Sequence, residues 1–500
     1  MDTMERSSCG SRRCALALAI SLLLAAPLAQ AQNFEAYYGD PEPADSGWDV
    51  KATRACGAGS ITVGTRQAGD TQLAQLSRAD DNGNLIWQAA YYIGGSKRSR
   101  GEAVIELSSG RGFAITGAVQ YGGSTDRIYV LQVDCEGRPA WTSVLGNRVE
   151  GQNAVGLDLI ESAPDRGETL YLVGEEISRD ARRKFGRIAR LDAGGGLLWN
   201  QFYDGGSRWP EVRLRALAQN VAATGLADDL VVAGNTTNGA GLMGALLLRT
   251  DISGTPVCAS TLNNADKQHA LFHGITALRA PGYFGQSALV GLQSNPADGA
   301  TQVYLARFEP VGCKVLAQAF WSDPKTTSIR AYDVVEALDR SSDDSILAIA
   351  ATRGVPEFGA ALGARTSSLL PATGSMNYFG AGREMLVSID LKAPDRLLLA
   401  GSTFIDRDAG ADPQDVYLVQ TDPAGATTCA IPWQPKAQRV AYPPQNVSLK
   451  PILIDAYERV GTEPVGTGGQ GYACKPDPKR LAGAAAPACV RAPAAKKTAS

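Results

Sequence analysis

A short pattern that recurs along the chain constrains its fold more than any other feature. An acidic residue is followed by glycine three positions later and by a large or soft apolar residue at seven, as in Asp80-Gly83-Trp87. Seven copies occur, 51 to 62 residues apart, and one has proline in place of the acid. Their first residues are Asp80, Asp134, Asp192, Asp251, Glu309, Pro371 and Asp422. A repeat of this length indicates one small structural unit per copy, stacked on its neighbours.

Four short extended segments accompany each copy. They are alternating or wholly apolar runs rich in β-branched residues, which predict strands; examples are 104–107, 114–117, 129–133 and 87–93. The Asp-x-x-Gly segment predicts the hairpin turn before the fourth strand, with glycine supplying a positive φ. Four antiparallel strands repeated seven times predict an all-β chain, folded as a seven-bladed β-propeller of four-stranded antiparallel blades.

The rest of the chain divides around this predicted propeller, which spans 47–433. We expect blades at 47–93, 101–146, 154–203, 212–262, 273–321, 331–380 and 384–433. Residues 32–46 contain Phe34–Tyr38, which resembles a fourth strand and is expected to close the ring against the last blade. Residues 434–461 are a C-terminal extension with one strand at 447–457, and residues 462–500, rich in Ala, Pro and Lys, are predicted to be a disordered tail.

Residues 1–31 are typical of an export signal. Arg12 and Arg13 precede an apolar run at 14–26, and Ala29-Gln30-Ala31 matches a cleavage site. The apolar run is too short to span a bilayer. The sequence therefore predicts an extracytoplasmic protein, secreted or periplasmic, without a membrane span.

The cysteines after the signal are scattered singly, with no C-x-x-C pair, which excludes a typical zinc cluster or redox dithiol. In an oxidising compartment, disulfides between neighbouring repeats are the expected use. The predicted pairs are Cys258 with Cys313 and Cys56 with Cys135, and the odd number of cysteines leaves one thiol unmatched.

The repeat resembles a broad group of exported bacterial propeller repeats, on the string Asn84-Leu85-Ile86-Trp87 through Ile93-Gly94-Gly95. That resemblance covers most of 50–433 and implies fold and export, but no single activity. The repeat is also similar to the tryptophan-docking repeats of quinoprotein dehydrogenases, in which the tryptophan clamps adjacent blades. This chain lacks the vicinal cysteine pair of those enzymes and has seven repeats where eight are usual. The Asp boxes of sialidases have a different spacing.

Basic residues concentrate in loops that the predicted topology places on one face. The second-to-third strand loops and the connections between blades emerge together, opposite the Asp-x-x-Gly turns, and we call this the long-loop face. A net charge of −3 argues against nucleic-acid binding. The local basic patch is instead a hypothesis for binding an anionic ligand, such as an acidic polysaccharide or a cell-surface phosphate, the alternative being solvated loops paired with nearby acids. Its residues are Lys97, Arg98, Arg100, Arg179, Arg182, Arg183, Lys184, Arg187, Arg208 and Trp209.

One further group of residues suggests a metal site, and two others are assigned different roles. Asp406, Asp408, Asp412 and Asp415 surround Gly410 with carboxylates at alternate positions, which is similar to a calcium loop. The turn acids are spread around one rim and are interpreted as turn formers. His269 and His273 lack the H-E-x-x-H context, and we expect them to be surface residues.

Two classes of function remain open. The first is a non-enzymatic propeller that binds a protein or an anionic glycan through its long-loop face, since no G-x-S-x-G elbow or other catalytic constellation occurs. The second is a propeller enzyme, glycoside-active or quinone-dependent, with its site at the mouth of the central channel. Perturbed carboxylates converging there would favour the enzyme. No cofactor is expected other than Ca²⁺, and the oligomeric state is not predicted.

Overall fold

The computed structural model describes residues 33–493 with gaps. The gaps are 40–43, 122, 148–151, 163–167, 179–181, 221–228, 263–267, 296, 324–327, 339–343, 355–359, 372–375, 379–382, 395, 405–413, 424, 426, 428–429, 433–435, 441–443, 447–449, 454–456, 467–469 and 477–488. The predicted export signal lies outside the described residues and stays a prediction.

Strands make up almost all of the regular structure in the described ranges, with one 3₁₀ turn at Pro281–Tyr283. In chain order the strands are β1 (Phe34–Gly39), β2 (Ala44–Thr53), β3 (Gly59–Ala68), β4 (Thr71–Ala79), β5 (Leu85–Ile93), β6 (Ser99–Glu106), β7 (Phe113–Gln120), β8 (Asp126–Val133), β9 (Pro139–Leu145), β10 (Asn153–Glu161), β11 (Leu170–Ile177), β12 (Lys184–Leu191), β13 (Leu197–Asp204), β14 (Glu211–Asn220), β15 (Asp229–Thr237), β16 (Met243–Asp251), β17 (Pro256–Leu262), β18 (His269–Ala277), β19 (Ser287–Ser294), β20 (Thr301–Glu309), β21 (Lys314–Ser322), β22 (Ile329–Leu338), β23 (Ser345–Arg353), β24 (Ala360–Arg365), β25 (Met376–Tyr378), β26 (Arg383–Ala393), β27 (Arg396–Phe404), β28 (Gln414–Thr421), β29 (Ala430–Pro432), β30 (Lys436–Val440), β31 (Pro444–Asn446), β32 (Lys450–Leu453), β33 (Tyr457–Arg459), β34 (Thr462–Gly466), β35 (Gln470–Pro476) and β36 (Cys489–Pro493).

Consecutive strands pair antiparallel in groups of four, which we call units. Unit 1 is β2–β5, unit 2 is β6–β9, unit 3 is β10–β13, unit 4 is β14–β17, unit 5 is β18–β21 and unit 6 is β22–β25. Unit 7 consists of β26–β28 and takes the N-terminal strand β1 as its fourth, antiparallel to β28. The prediction of an all-β chain with repeated four-stranded antiparallel sheets is therefore confirmed.

The burial of each strand follows from its place in the unit. The second strands are buried along most of their length, and β7 is buried at every position except its last. The fourth strands alternate instead, as β5 does, because one of their faces meets solvent. Both faces of every inner strand must therefore be covered by other units.

Hydrophobic clusters cover those faces. Units 1 and 2 share a cluster that includes Leu76 and Ile115, and equivalent clusters join each unit to the next as far as units 6 and 7. A further cluster joins unit 7 to unit 1, through Leu418 and Val50 among others. Burying one Val, Leu or Ile side chain contributes about 1.5–3 kcal/mol, so these seams are the main stabilising contacts.

The aromatic residue of the repeat contacts the turn of the following unit. The ring of Trp87 lies against Gly137, where an added Cβ would come within 3.1 Å of it, and its Nε1 donates to the carbonyl oxygen of Cys135 at 3.0 Å. Three more rings contact turn glycines in the same way, in the pairs Trp141–Gly195, Trp199–Gly254 and Phe34–Gly83. These glycines also have a positive φ, which favours glycine at the position.

The acid of the repeat forms the turn, as predicted. In the second copy, Asp134 Oδ1 accepts hydrogen bonds from the backbone N–H groups of Glu136 at 3.0 Å and Arg138 at 2.9 Å. Asp80 and Asp251 do the same in their turns. These carboxylates are used locally and are not gathered into a site.

Two disulfides tie neighbouring units together, and both predicted pairs are confirmed. Cys56 in unit 1 joins Cys135 in the turn of unit 2, with a Cα–Cα distance of 5.4 Å. Cys258 joins Cys313 in the turn of unit 5, with a Cα–Cα distance of 6.5 Å. Cys258 is the position-seven residue of its repeat, so a covalent bond replaces the tryptophan contact between units 4 and 5.

Removing either disulfide is expected to destabilise the fold. The two bonds close loops with sequence separations of 79 and 55 residues, and replacing one pair by serines should lower the free energy of unfolding by about 2–4 kcal/mol. Urea unfolding of Cys56→Ser/Cys135→Ser and of Cys258→Ser/Cys313→Ser, beside the oxidised parent, measures this. Equal midpoints for parent and variants would contradict it.

The C-terminal segment 430–476, which we call the belt, runs back along the outer edges of the units in reverse order. β29 pairs with β25 of unit 6, and β30 to β34 pair in turn with the fourth strands of units 5, 4, 3, 2 and 1. β35 then pairs with β1 of unit 7, and β36 with β35. The belt thus adds a fifth strand to each edge and satisfies backbone groups that an open edge leaves unpaired.

The belt corrects the sequence-based view of this segment. A single strand at 447–457 and a disordered tail from 462 were expected, but strands form on both sides of 462, at Tyr457–Arg459, Thr462–Gly466, Gln470–Pro476 and Cys489–Pro493. Most of these strands are too short for a readable alternation, and their hydrogen-bond partners belong to edges far away in sequence. Among the described residues, no helix is long and apolar enough to cross a membrane.

Candidate functional site

One cavity brings the first strands of all seven units together. Its volume is about 560 Å³, and residues of β2, β6, β10, β14, β18, β22 and β26 line it. This volume falls within the range of small-ligand sites, about 300–1,000 Å³. The cavity is therefore the candidate site.

A β-bulge interrupts each of these first strands at an equivalent position. A bulge inserts one residue and re-aims its side chain, which is why bulges occur often beside functional sites. The inserted residues all line the cavity, and their chemistry differs from unit to unit: Trp48, Glu102, Leu157, Arg215, His273, Tyr332 and Val387.

Arg215 is a half-buried cation in this wall. Among the described residues no ion pair or hydrogen bond to its guanidinium is formed, and its Nε is buried. Burial lowers its pKa, an effect that the carboxylate of Glu175 partly opposes. The carboxylate of Glu175 lies 3.4 Å from the Nε of Arg213, so it already forms an ion pair with a different arginine.

His273 and Tyr332 form a stacked pair next to Arg215. Their ring centroids are 5.0 Å apart and their planes differ by 10°. Burial, together with the nearby Arg215 charge, lowers the pKa of His273 to about 3, so the imidazole is neutral. Its Nδ1 lies 2.8 Å from the carbonyl oxygen of Ala331 and must donate to it, which makes Nε2 an acceptor. His273 was expected at the surface; the cavity wall is its actual place.

Four aspartates join the first strands pairwise inside the cavity, and each accepts a backbone N–H from a different unit. The pairs and their Oδ2–N distances are Asp49 to Val104 (2.9 Å), Asp158 to Leu217 (2.9 Å), Asp333 to Ile389 (3.1 Å) and Asp390 to Ala52 (2.7 Å). They link unit 1 to 2, 3 to 4, 6 to 7 and 7 to 1. We call them the clasp aspartates.

One lysine stands among these carboxylates. Lys51 Nζ lies 2.9 Å from Asp49 Oδ1. Burial alone would lower the pKa of Lys51, but the four clasp aspartates raise it above its ordinary value. Burial raises the pKa of Asp158 to about 7 and that of Asp333 to about 6, against the opposing effect of Lys51 and of backbone hydrogen bonds. Four acids thus face one cation.

These raised pKa values predict that stability falls as pH rises through the window from about 4 to about 7. An unfolded aspartate has a pKa near 3.9, so in this window the folded protein holds more protons than the unfolded chain, and the free energy of unfolding decreases with pH. Urea unfolding at pH 4.5, 6 and 7.5 measures the slope. Asp158→Asn should flatten it, and stability that rises across the window would contradict the prediction.

Sequence reasoning missed both the clasp aspartates and the inserted residues. A signal was present: Trp48-Asp49, Leu157-Asp158 and Tyr332-Asp333 place an acid at the same register in three first strands. An acidic residue in an alternating strand is ordinarily expected to point its side chain into solvent. Only the closeness of the strands shows that these acids meet.

Three members of the predicted basic patch are paired with local acids. Arg100 donates to Glu102 at 2.8 Å and to Asp126 at 3.1 Å, and Lys184 Nζ lies 3.0 Å from Glu211. Arg183 pairs with Asp204 at 2.5 Å. Lys97, Arg98, Arg182 and Arg208 are exposed, and Arg179 lies outside the described residues.

Two members of the patch are corrected. Trp209 is buried in the cluster between units 3 and 4. Arg187 is fully buried inside unit 3, where it donates to Asn200 and to the carbonyl oxygen of Gly146. Arg187 lies in β12 and Trp209 in the connection before β14, and both side chains are buried, so neither can contact a partner.

The structure does not test the calcium hypothesis. Asp406, Asp408 and Asp412 lie outside the described residues, and Asp415 is fully buried in β28. In the part of the chain that is described, no group of three or more His, Cys, Asp or Glu side chains is placed to hold a metal ion. His269 accepts a hydrogen bond from the backbone N–H of Met243 at 3.1 Å.

No protein-family model and no curated protein matches this sequence. Chaetomium thermophilum Sqt1 is similar in structure, with 12% identity, a TM-score of 0.44, and coverage of 79% of this chain and 99% of that one. Sqt1 bound to the N-terminus of the ribosomal protein L10 gives 12% identity, 77% and 98% coverage and a TM-score of 0.42. A protein of unknown function from Dyadobacter fermentans gives 13% identity, 64% and 93% coverage and a TM-score of 0.40.

Proposed function

We propose that the seven units close into a seven-bladed β-propeller, exported from the cytoplasm, which binds a protein segment or an anionic glycan in the cavity on its axis without catalysis. The observation that carries this proposal is that first strands of every unit line one cavity. The cluster that unit 7 shares with unit 1 supports ring closure, since it is equivalent to the other six.

The axis is favoured over the long-loop face because of where charge is left unneutralised. The basic side chains Arg100, Arg183 and Lys184 are paired with acids, and Lys97, Arg98 and Arg208 are exposed to solvent, so an anion gains little from either group. The cavity instead holds the half-buried Arg215, whose Nε has no hydrogen-bond partner, and an aromatic stack, both positioned by strands. Rigid elements position ligand contacts better than loops do.

A glycoside-active enzyme is the second candidate, and the pKa values of Asp158 and Asp333 favour it. Carboxyls that titrate near neutrality suit general acid catalysis. Against this, both oxygens of Asp158 accept backbone hydrogen bonds, from Leu159 and Leu217. These bonds indicate that Asp158 has a structural role, linking unit 3 to unit 4. Hydrolysis of a bound glycan that Asp158→Asn abolishes without loss of binding would establish the enzyme; a quinone-dependent activity would need a bound quinone.

Binding in the cavity can be tested by filling it. The protein from residue 32 onward would be screened against arrays of glycans and peptides. Thr276 lines the cavity, whereas Thr255 is an exposed turn residue, so Thr276→Trp and Thr255→Trp form a matched pair. We expect Thr276→Trp to weaken binding at least tenfold and Thr255→Trp to leave it unchanged, at equal melting temperatures. Binding that survives Thr276→Trp would place the site elsewhere.

A further inference from the structure

Arg215 lines the cavity without an ion pair to any of the described residues. Elsewhere in the fold, Arg249 pairs with Asp229 at 2.6 Å and Arg353 with Asp323 at 2.5 Å. Arg215 has no such contact within the described part of the chain. A half-buried guanidinium without a carboxylate contact gains more from an incoming anion than a fully exposed one does.

We propose that Arg215 binds the carboxylate of an acidic sugar, a uronic-acid unit of a glycan, inside the cavity. This inference rests on the proposed function, since it assigns a ligand class to the same site. The guanidinium supplies two parallel donors for the two carboxylate oxygens, a geometry that lysine cannot reproduce.

The charge around Arg215 favours a ligand with one negative charge per sugar unit. Glu102 and Glu175 both act on the Arg215 guanidinium, and the clasp aspartates add further negative charge to the same cavity. One carboxylate balances one guanidinium. A phosphate or a densely sulfated sugar would bring excess negative charge towards these acids, at a cost that rises in a desolvated site.

The remaining wall suits a sugar ring better than a peptide end. The stacked His273 and Tyr332 and the half-exposed Trp48 offer flat aromatic surface for the C–H face of a pyranose. The His273 Nε2 is an acceptor, as is the carboxylate of Glu102, and ring hydroxyls are donors that fit both. A peptide carboxyl terminus would bring fewer hydroxyls to these acceptors.

Titration calorimetry at pH 7 with trigalacturonate, its methyl ester and neutral galactotriose tests this. The variants are Arg215→Gln and Arg215→Lys, with Arg279→Gln as the matched control, because Arg279 is exposed and lies outside the cavity lining. We expect Arg215→Gln to weaken trigalacturonate binding by roughly 30-fold, as for loss of a charge-assisted hydrogen-bonded pair. Arg215→Lys should recover only part of this, and Arg279→Gln should change it less than threefold.

The methyl ester should bind the parent as weakly as trigalacturonate binds Arg215→Gln. Equal binding of ester and acid, or an unchanged affinity in Arg215→Gln at an unchanged melting temperature, would overturn the assignment. If a peptide with a free carboxyl terminus, and not the uronate, binds in a manner that Thr276→Trp blocks, the sugar is wrong while the cavity remains the binding site. If Thr276→Trp blocks nothing, the proposed function fails as well. Tighter binding of sulfated or phosphorylated sugars would overturn the carboxylate.

Discussion

Replacing Arg187 with alanine is expected to lower the free energy of unfolding by about 3–5 kcal/mol, the range found when one partner of a buried ion pair is removed. The Arg187 side chain is fully buried, lies 3.9 Å from Glu176, donates to Asn200 at 2.9 Å and to the Gly146 carbonyl at 2.7 Å, and stacks over the ring of Phe202. Its loss leaves the buried Glu176 carboxylate without its cation. Burial already lowers the pKa of Arg187 to about 10, so it stays charged at neutral pH.

Urea unfolding followed by tryptophan fluorescence measures this effect. Arg182→Ala is the matched control, because Arg182 is exposed in the preceding loop and its replacement should change stability by no more than about 0.5 kcal/mol. A surface-binding role for Arg187 predicts the reverse pattern, with weaker ligand binding and an unchanged unfolding midpoint. That result would restore Arg187 to the basic patch.

The repeat predicted the strands and their contacts well because it depends on interactions between residues that are close in sequence. Asp134 and Gly137 specify a turn by hydrogen bonding and by a positive φ, and both terms act within five residues. Trp87 had to be buried by a neighbouring unit, since a single sheet could not cover it. The Cys258–Cys313 pair was expected as a disulfide between neighbouring repeats, and Cys258 stands where tryptophan stands in other copies.

The belt and the cavity could not be predicted because their contacts are long-range. The three residues of β29 carry no pattern of their own, and pairing with β25 creates the strand. Likewise Asp49 and Asp333 are far apart in sequence, and the Ser388 hydroxyl that lies within hydrogen-bond distance of both belongs to a third unit. Their closeness depends on how several units pack together, and the sequence of a single repeat does not determine that packing.

Replacing Asp49 with alanine should be the most damaging change in the cavity wall. The Asp49 carboxylate accepts the backbone N–H groups of Val50 and of Val104 in unit 2, the Ser388 hydroxyl of unit 7 and the Lys51 ammonium. Alanine leaves these donors without their acceptor and removes contacts to two neighbouring units at once. We expect a loss of about 3–5 kcal/mol, as for other buried, hydrogen-bonded charges.

Asp81→Ala separates this loss from the ordinary cost of deleting an ion-paired aspartate. Asp81 is 43% exposed and pairs with Lys392 at 2.5 Å, so its replacement should cost less than about 1 kcal/mol. Asp49→Asn should lie between the two, because the amide oxygen keeps one acceptor while the amide nitrogen meets an N–H donor. The same urea titrations at pH 7 give all three values. Equal midpoints for Asp49→Ala and Asp81→Ala would mean that the clasp aspartates do not hold the units together, and the case for a ring of units around one cavity would have to rest on the hydrophobic seams alone.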